Sequence, residues 1–362
     1  MNNSLTLWSG EKVPAVWQGC SHVSNALLED QLKVWKRAIE LGSNAFDTAE
    51  LYGRGRSEEM IGKLIKEVGR NNIFISTKVS AENLSKDNML KACDNSLRRL
   101  GSDCIDLYHL HWSNPKVSLE DSFEGLCALL VQGKIRYVGI SNFTETQISD
   151  FLLNFDGVLA AIQMEYNIIN RKCEEEIIPL CDQNFILFQA YTPLNFGRIS
   201  NPLLDQLSLE YAKTPFQIIL NWMVNYSGVC VLPKTTSLKH VEENCTSIDF
   251  VISPDDLRSI DKEFSYKSYM MKCFDITPFS TGDDNLNTDV YKSKEEAIEN
   301  MLAFVPSPQS LSEELKVVKQ LSKPIRIRID GNRKLLVGGN VRYWAWVLAF
   351  GMDSEIECII VK

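Results

Sequence analysis

From residue 15 to about 245, short apolar runs alternate with longer amphipathic stretches. The runs begin at Ala15-Val-Trp-Gln-Gly, Ala45-Phe-Asp, Ile73-Phe-Ile-Ser-Thr, Ile105-Asp-Leu-Tyr, Ile135-Arg-Tyr-Val-Gly-Ile, Leu159-Ala-Ala-Ile-Gln, Phe185-Ile-Leu-Phe-Gln-Ala and Val229-Cys-Val-Leu. Each has the length of a strand. Between them the period changes to that of a helix. In Leu27 to Leu41, residues Leu28, Leu32, Trp35, Ala38 and Ile39 mark one apolar face, with Asp30, Lys33, Arg37 and Glu40 outside it. Ser57-Glu-Glu-Met-Ile predicts a second helix opened by a serine cap and early acids. Lys86 to Leu100 and Ser118 to Val131 repeat the pattern. Eight strand–helix units predict a parallel sheet, and closure of that sheet gives a (β/α)8 TIM barrel. An open doubly wound sheet is the alternative. It requires a Gly-x-Gly-x-x-Gly turn after a strand, and Gly53-Arg-Gly55 lacks the third glycine.

The barrel reading says where chemistry belongs, because such barrels carry it at the C-terminal ends of their strands. Asp47, Lys78, His111, Asn142, Gln163, Tyr191 and Lys234 each fall at or just beyond the end of a different apolar run, and Tyr52 follows in the loop after the second. Asp, Tyr, Lys and His together can protonate a carbonyl oxygen while hydride reaches its carbon. The lysine depresses the tyrosine pKa, the aspartate holds the lysine, and the histidine orients the carbonyl. His109 lies two residues before His111 and faces the same way on a strand. We read it as a buried structural histidine, and Asp106 as a structural hydrogen-bonding group.

Composition narrows the function further. The chain has 362 residues, 44% hydrophobic and 23% charged, with a net charge of −9. That balance argues against nucleic acid or an acidic membrane as a partner of the whole protein. No 18-residue apolar run and no basic-then-apolar leader are evident. The ten cysteines include no Cys-x-x-Cys pair, which predicts reduced thiols, a cytoplasmic protein and no metal site.

These blocks resemble the aldo-keto reductase superfamily over roughly residues 1–265. They are Phe46-Asp-Thr-Ala-Glu-Leu-Tyr-Gly, Ser76-Thr-Lys, Ser96-Leu-Arg-Arg-Leu, Asp106-Leu-Tyr-His-Leu-His-Trp, Gly133-Lys-Ile-Arg-Tyr-Val-Gly-Ile-Ser-Asn142, Gln163-Met-Glu-Tyr-Asn, and Pro233-Lys-Thr-Thr with Glu243-Asn244. The resemblance implies a catalytic tetrad of Asp47, Tyr52, Lys78 and His111, with Tyr52 the general acid. It implies a nicotinamide cofactor bonded through its amide by Ser141, Asn142 and Gln163, with the ring stacked on Tyr191. Lys234, Thr235, Thr236, Glu243 and Asn244 then fall where the family holds the adenosine 2′-phosphate and adenine. His240 stands where many members have an arginine, so the expectation is NADP with NAD use left open. The short loop after His111 and the absence of an evident long C-terminal loop imply an open site for a polar or large substrate.

Residues 266–296 read as a polar, turn-rich linker, and 297–362 as a second, small α+β unit. Ser310 predicts a helix cap, Ile325 to Asp330 a strand, Gly331-Asn332 a turn, and Val341 to Phe350 a helix closed by Gly351. A strand followed by Gly338-Gly339-Asn340-Val341-Arg342 resembles the ParB/sulfiredoxin-like domain. Glycines before a helix start, with Arg342 in its first turn, suggest a phosphate or nucleotide site. Asn340 stands where sulfiredoxins carry cysteine, so sulfinate reduction is not expected. The leading function is an NADP-linked oxidoreductase for an aldehyde, ketone or sugar carbonyl. The alternative is a nicotinamide-nucleotide sensor or scaffold that signals through the C-terminal unit. The substrate and the oligomeric state are not legible.

Overall fold

The structure is a computed structural model that describes residues 4–21, 28–225, 228–264, 268–277, 293–299, 307–319, 321, 325–330, 333–338 and 340–361. The chain divides into two units, Met1–Ser265 and Tyr266–Lys362. The first opens with an antiparallel hairpin, β1 (Ser4–Thr6) and β2 (Lys12–Pro14). Eight strands then form one sheet in chain order: β3 (Gln18–Gly19), β4 (Ala45–Asp47), β5 (Phe74–Val79), β6 (Ile105–Leu110), β7 (Ile135–Ser141), β8 (Leu159–Glu165), β9 (Leu187–Tyr191) and β10 (Val229–Leu232). Every neighbouring pair is parallel. The sheet closes on itself where Val16 bridges Val231 and Gly19 donates to the Pro233 carbonyl at 3.0 Å. A Cβ on Gly19 would stand 3.0 Å from the Leu232 carbonyl oxygen, so a side chain there would crowd the seam. All eight expected strands are present. The first is shorter than its apolar run, because Ala15 to Trp17 meet β10 through the closing bridge and its flanking hydrogen bonds.

The helices cover the outside. Those between strands are α1 (Leu28–Glu40), α2 (Arg56–Val68), α3 (Lys86–Leu100), α4 (Leu119–Val131), α5 (Glu145–Asn154), α6 (Ile177–Gln183), α7 (Pro202–Tyr211) and α8 (Pro215–Val224). After β10 come α9 (Leu238–Cys245) and α10 (Pro254–Glu263). Ser118, where the expected helix begins, caps α4, accepting from the Asp121 amide at 3.2 Å. Ser57 does not cap α2. Gly55, in the left-handed region at φ 88°, precedes that helix. Ser57 lies buried inside it, donating to the Cys20 carbonyl at 2.7 Å and accepting from Thr48 Oγ1 at 2.7 Å. A glycine that takes positive φ turns the chain into α2 without a side-chain cap, which frees the serine to tie the segments after β3 and β4 together.

The hairpin fixes which end of the barrel is open. Leu7, Val13 and Trp17 join Ala45, Phe74, Leu107, Tyr137, Leu187 and Leu232 in one buried apolar cluster. Trp17 meets Phe74 edge-on at 5.3 Å. That cluster fills the end where strands begin, and polar chemistry is left to the end where they finish. Asp106 is structural, as expected: it accepts from Arg70 at 2.6 Å, Arg136 at 2.7 Å and the Ile75 amide at 2.7 Å. All ten cysteines are free thiols. Among the described residues no helix is long and apolar enough to cross a membrane.

The second unit is a five-stranded sheet with its own buried core, and it corrects the linker reading. Its strands are β11 (Ser268–Lys272), β12 (Ile276–Thr277), β13 (Ile325–Asp330), β14 (Arg333–Gly338) and β15 (Glu355–Val361), in the order β11-β15-β13-β14-β12. Two strands therefore come from the segment expected to be linker, and α11 (Lys294–Ile298) begins in it as well. β11 pairs antiparallel with β15, and β12 parallel with β14. Partners that lie so far along the chain leave no local signal. The helix expected after Ser310 is α12 (Pro308–Val318), capped one turn earlier by Ser307. The last helix is α13 (Asn340–Phe350). Cys273, Ile276, Ile325, Ile327, Tyr343, Val347, Ile356 and Cys358 form the core of this unit. Gly339, the Gly331-Asn332 turn and residues 278–292 lie outside the described residues.

Candidate active site

Parallel register delivers the four catalytic candidates to one end. Asp47 closes β4, opposite Ser76 of β5. Lys78 sits two residues further along β5, opposite His109, and His111 follows β6 directly, its amide bonded to the Val79 carbonyl at 3.0 Å. Lys78 is fully buried. Its ammonium donates to Asp47 Oδ2 at 2.7 Å and to the Thr48 carbonyl at 2.7 Å. The same ammonium stands 5.0 Å from the centre of the Tyr52 ring. Tyr52 meets His111 edge-on at 5.8 Å, and His111 stacks on Trp112 at 3.7 Å. The loop that carries Tyr52 is pinned through Glu50, which accepts from the Ser80 amide at 2.6 Å and from Asn83 at 3.0 Å.

Burial and charge set the protonation states. Burial works against the Lys78 charge, but Asp47 and Tyr52 outweigh it and the lysine is raised above its ordinary value. Tyr52 is raised as well: burial of its hydroxyl wins over the Lys78 charge that pulls the other way. The sequence expectation of a depressed tyrosine is corrected on this point. Lys78 supplies the expected pull, but burial penalises the phenolate more. Burial first, then the Lys78 charge, holds His111 and His109 well below the usual histidine range. Both are therefore neutral near pH 7.

This has a consequence for stability. Unfolded histidines bind protons below about pH 6.5, whereas His109 and His111 stay neutral in the fold until far lower pH. The stabilisation is fully present above about pH 6.5 and is lost as pH falls, at roughly 1.4 kcal/mol per pH unit for each histidine. Denaturation of the barrel at pH 7.5 and 5.5 should show this slope, and His109→Leu should remove about half of it. A slope the same in both proteins would contradict the neutral state of His109.

The nicotinamide candidates gather beside the tetrad. Asn142, in the left-handed region at φ 61°, sits just past β7 and ties four strand ends together. It donates to the His111 carbonyl at 3.2 Å and to Ser141 Oγ at 3.0 Å, its amide bonds the Gln163 carbonyl at 3.1 Å, and its Oδ1 accepts from the Tyr191 hydroxyl at 2.7 Å. Gln163 donates to Asp47 Oδ1 at 2.9 Å. Lys234 follows β10. It is exposed and has no ion-pair partner among the described residues. Thr235 accepts from the Ser237 amide at 3.0 Å, Thr236 is exposed, and Ser237 caps α9. His240 is exposed in the first turn of α9, Glu243 pairs with Lys239 at 3.7 Å, and Asn244 is buried. The tail candidates lie in the other unit: Gly338 ends β14, Asn340 opens α13, and Arg342 follows in its first turn.

Sequence reading missed Ser76 and Gln189. Both are polar residues inside apolar strands. Ser76 donates to Asp47 Oδ1 at 3.0 Å, and Gln189 Oε1 accepts from Gln163 at 3.1 Å. The available signal was register, since Gln189 stands directly opposite Gln163 in the next strand.

The barrel and this site have known relatives. A family model described as the Aldo/keto reductase family matches residues 24–263. Methylglyoxal reductase YeaE of Escherichia coli (strain K12) is 30% identical over 274 residues, spanning 73% of this chain and 96% of the relative. Glyoxal reductase of Bacillus subtilis (strain 168) is 31% identical over 264 residues, spanning 72% of this chain and 92% of the relative. Among solved structures, an aldo/keto reductase from Klebsiella pneumoniae in complex with NADP and acetate aligns with a TM-score of 0.68 at 28% identity, covering 73% of this chain and 96% of that one. With the matched span, the closed eight-stranded barrel and the Asp47, Tyr52, Lys78 and His111 cluster in agreement, the chain belongs to the aldo/keto reductase family.

Proposed function

We propose that this protein is an NADP-dependent reductase of aldehyde, ketone or sugar carbonyls, with Tyr52 as general acid. The observation that carries the reading is the convergence of Asp47, Lys78, Tyr52 and His111, with the Lys78 ammonium bonded to Asp47 at 2.7 Å and 5.0 Å from the centre of the Tyr52 ring. NADPH, when bound, supplies the hydride. Tyr52 gives its proton to the carbonyl oxygen, Lys78 stabilises the phenolate left behind, and Asp47 keeps Lys78 charged. Neutral His111 donates an N–H that orients the carbonyl. A Tyr52 hydroxyl raised above its ordinary value is fully protonated near pH 7, which suits reduction.

The residues fit the cofactor. Asn142, fixed by four strand ends, has Ser141, Gln163 and Tyr191 around it for the nicotinamide. Exposed Lys234 and the capped start of α9 offer charge and N–H groups to a 2′-phosphate, with Thr235, Thr236, His240, Glu243 and Asn244 nearby in sequence for the adenosine. The NADP-bound Klebsiella relative supports this assignment, and the methylglyoxal and glyoxal reductases make small dicarbonyls the first substrates to test. Purified protein should oxidise NADPH in the presence of one of these compounds. Tight NADPH binding without turnover across a panel of aldehydes and sugars would favour the sensor or scaffold reading, which the separately cored second unit would serve.

Lys234→Met should weaken NADPH binding by ~1–3 kcal/mol, the scale of a hydrogen bond to a charged group, and leave NADH nearly unchanged. Equal loss for both cofactors in a fluorescence titration would refute Lys234 as the phosphate ligand.

We further propose that the second unit is dispensable for hydride transfer and binds a phosphate-bearing ligand at Gly338, Gly339, Asn340 and Arg342. Its separate core supports the first part, and the β14-to-α13 junction with Arg342 in the first turn supports the second. A protein ending at Ser265 should fold and reduce the same substrates within about threefold of the full chain. A chain that aggregates or loses turnover would show that the tail belongs to the barrel's stability. Nucleotide titration of the full chain and of Arg342→Ala, followed by tail resonances, tests the ligand.

A further inference from the structure

Glu58, in the first turn of α2, and Thr77, in β5, are both fully buried. The Thr77 hydroxyl donates to Glu58 Oε1 at 2.6 Å, and Arg99 Nε of α3 donates to Glu58 Oε2 at 2.6 Å. Arg99 also donates to Ser96 Oγ at 3.1 Å. Apolar side chains of like volume hold helices to a strand about as well as a buried ion pair does. What a carboxylate adds is direction, because its two oxygens are each committed to one partner. Thr77 is the residue before Lys78, on the opposite face of the strand.

The loop that carries Tyr52 is held at its two ends. On the entry side, the Glu50 amide donates to the Lys78 carbonyl at 3.2 Å. Beyond it, among the described residues, the backbone of Leu51 to Gly55 bonds only within residues 49–59. The Tyr52 amide donates to the Ala49 carbonyl at 3.0 Å, and its carbonyl accepts from the Ser57 amide at 3.3 Å. Gly53, Arg54 and Gly55 follow with φ of 60°, 58° and 88°. Such a run of left-handed residues, two of them glycines, does not hold its own shape. The exit side is therefore set by where the first turn of α2 lies. Arg99 runs directly beneath that turn, since a Cβ on Gly55 would stand 2.5 Å from Arg99 Cδ.

We propose that Glu58 is a positioning residue: bonded to Thr77 and Arg99, it sets the first turn of α2 against the strand that carries Lys78, and so fixes where Tyr52 presents its proton. The inference rests on Tyr52 as the general acid, as proposed above. The path is short. Thr77 adjoins Lys78, Thr77 bonds Glu58, Glu58 follows Ser57, and the Ser57 amide bonds the Tyr52 carbonyl. Ser57 ties the same turn to Cys20 and Thr48, beside β3 and β4. Glu58 supplies the tie to β5, which those two bonds leave open.

Glu58→Gln keeps the shape and removes the charge that Arg99 meets. It should lower kcat at least about tenfold, the scale of a small misplacement of a reacting group, with NADPH affinity within about twofold of wild type in a fluorescence titration. A double-variant cycle separates placement of Tyr52 from general loosening. In Tyr52→Phe no phenolic proton is left to misplace, so adding Glu58→Gln should cost less than about twofold more. A further loss of about tenfold in that background overturns the proposal, as does a normal kcat in the single variant. Tyr52→Phe alone tests the reading beneath, because turnover near wild type there would fail the general acid itself. Thr77→Val keeps the Glu58–Arg99 pair and decides the case if Glu58→Gln does not fold. It should show the same pattern, with Thr77→Ser restoring kcat, and a normal kcat in Thr77→Val overturns the proposal. The 13Cζ resonance of Tyr52, assigned by its loss in Tyr52→Phe, reads the placement without turnover or cofactor. It should move in Glu58→Gln and in Thr77→Val, and a resonance unmoved in both overturns the proposal.

Discussion

Tyr52→Phe will reduce turnover of a good carbonyl substrate by at least ~100-fold, the usual worth of a positioned general acid, with cofactor affinity little changed. The phenyl ring keeps the edge contact with His111 and the face presented to Lys78, so the variant removes the proton and little else. Direction and pH add a second signature. The Tyr52 hydroxyl is held above its ordinary value, so the protonated form dominates across the neutral range and reduction should be flat between about pH 6 and 8. Oxidation of an alcohol needs the phenolate and should climb steadily as pH rises toward and past about 10. Neutral His111 adds no break near pH 6.5. Turnover of the phenylalanine variant close to wild type would remove Tyr52 from its role. A reduction rate that tracks an ordinary histidine titration would point instead to His111 as the proton donor.

What could be read from the sequence, and what could not, follows from how far each signal travels along the chain. The eight strands announced themselves because each is a local apolar run followed by a helical period. Asp47, Lys78 and His111 could be found because a barrel places chemistry at strand ends, and strand ends are visible in one dimension. Their protonation states were not visible. The sequence suggests that a lysine lowers Tyr52, but the balance depends on how far the hydroxyl is buried, and depth is a property of the closed barrel. Ser76 and Gln189 were missed for a related reason. Each is one polar residue in an apolar strand, and its meaning comes from the residue across the sheet. Ser57 looked like a cap because a serine before acids usually is one. Gly55 takes over the turn, and Ser57 serves Cys20 and Thr48 instead. The second sheet shows the limit most clearly. β11 and β12 are five and two residues long in turn-rich sequence, and they are strands only because β15 and β14 lie beside them.

Lys78→Met should be the most damaging single change in the barrel, and a second substitution can divide its effect into folding and chemistry. Lys78 is fully buried and Asp47 is 4% exposed. With Lys78 gone, the Asp47 carboxylate stays in the interior with Ser76 and Gln163 as its remaining side-chain donors. Breaking a buried ion pair from one side costs about 3–5 kcal/mol. Activity should fall more than ~100-fold, since the phenolate formed at Tyr52 loses its neighbouring charge. Asp47→Asn combined with Lys78→Met removes both charges, and much of the lost stability should return because no unpaired ion is left buried. Turnover should not return with it. That divergence is informative because misfolding would tie the two quantities together: if the single variant were inactive only through instability, the more stable double variant would regain activity. A double variant no more stable than Lys78→Met would mean that Asp47 is already protonated or solvated when alone. A single variant with normal turnover would exclude Lys78 from the proton-transfer step.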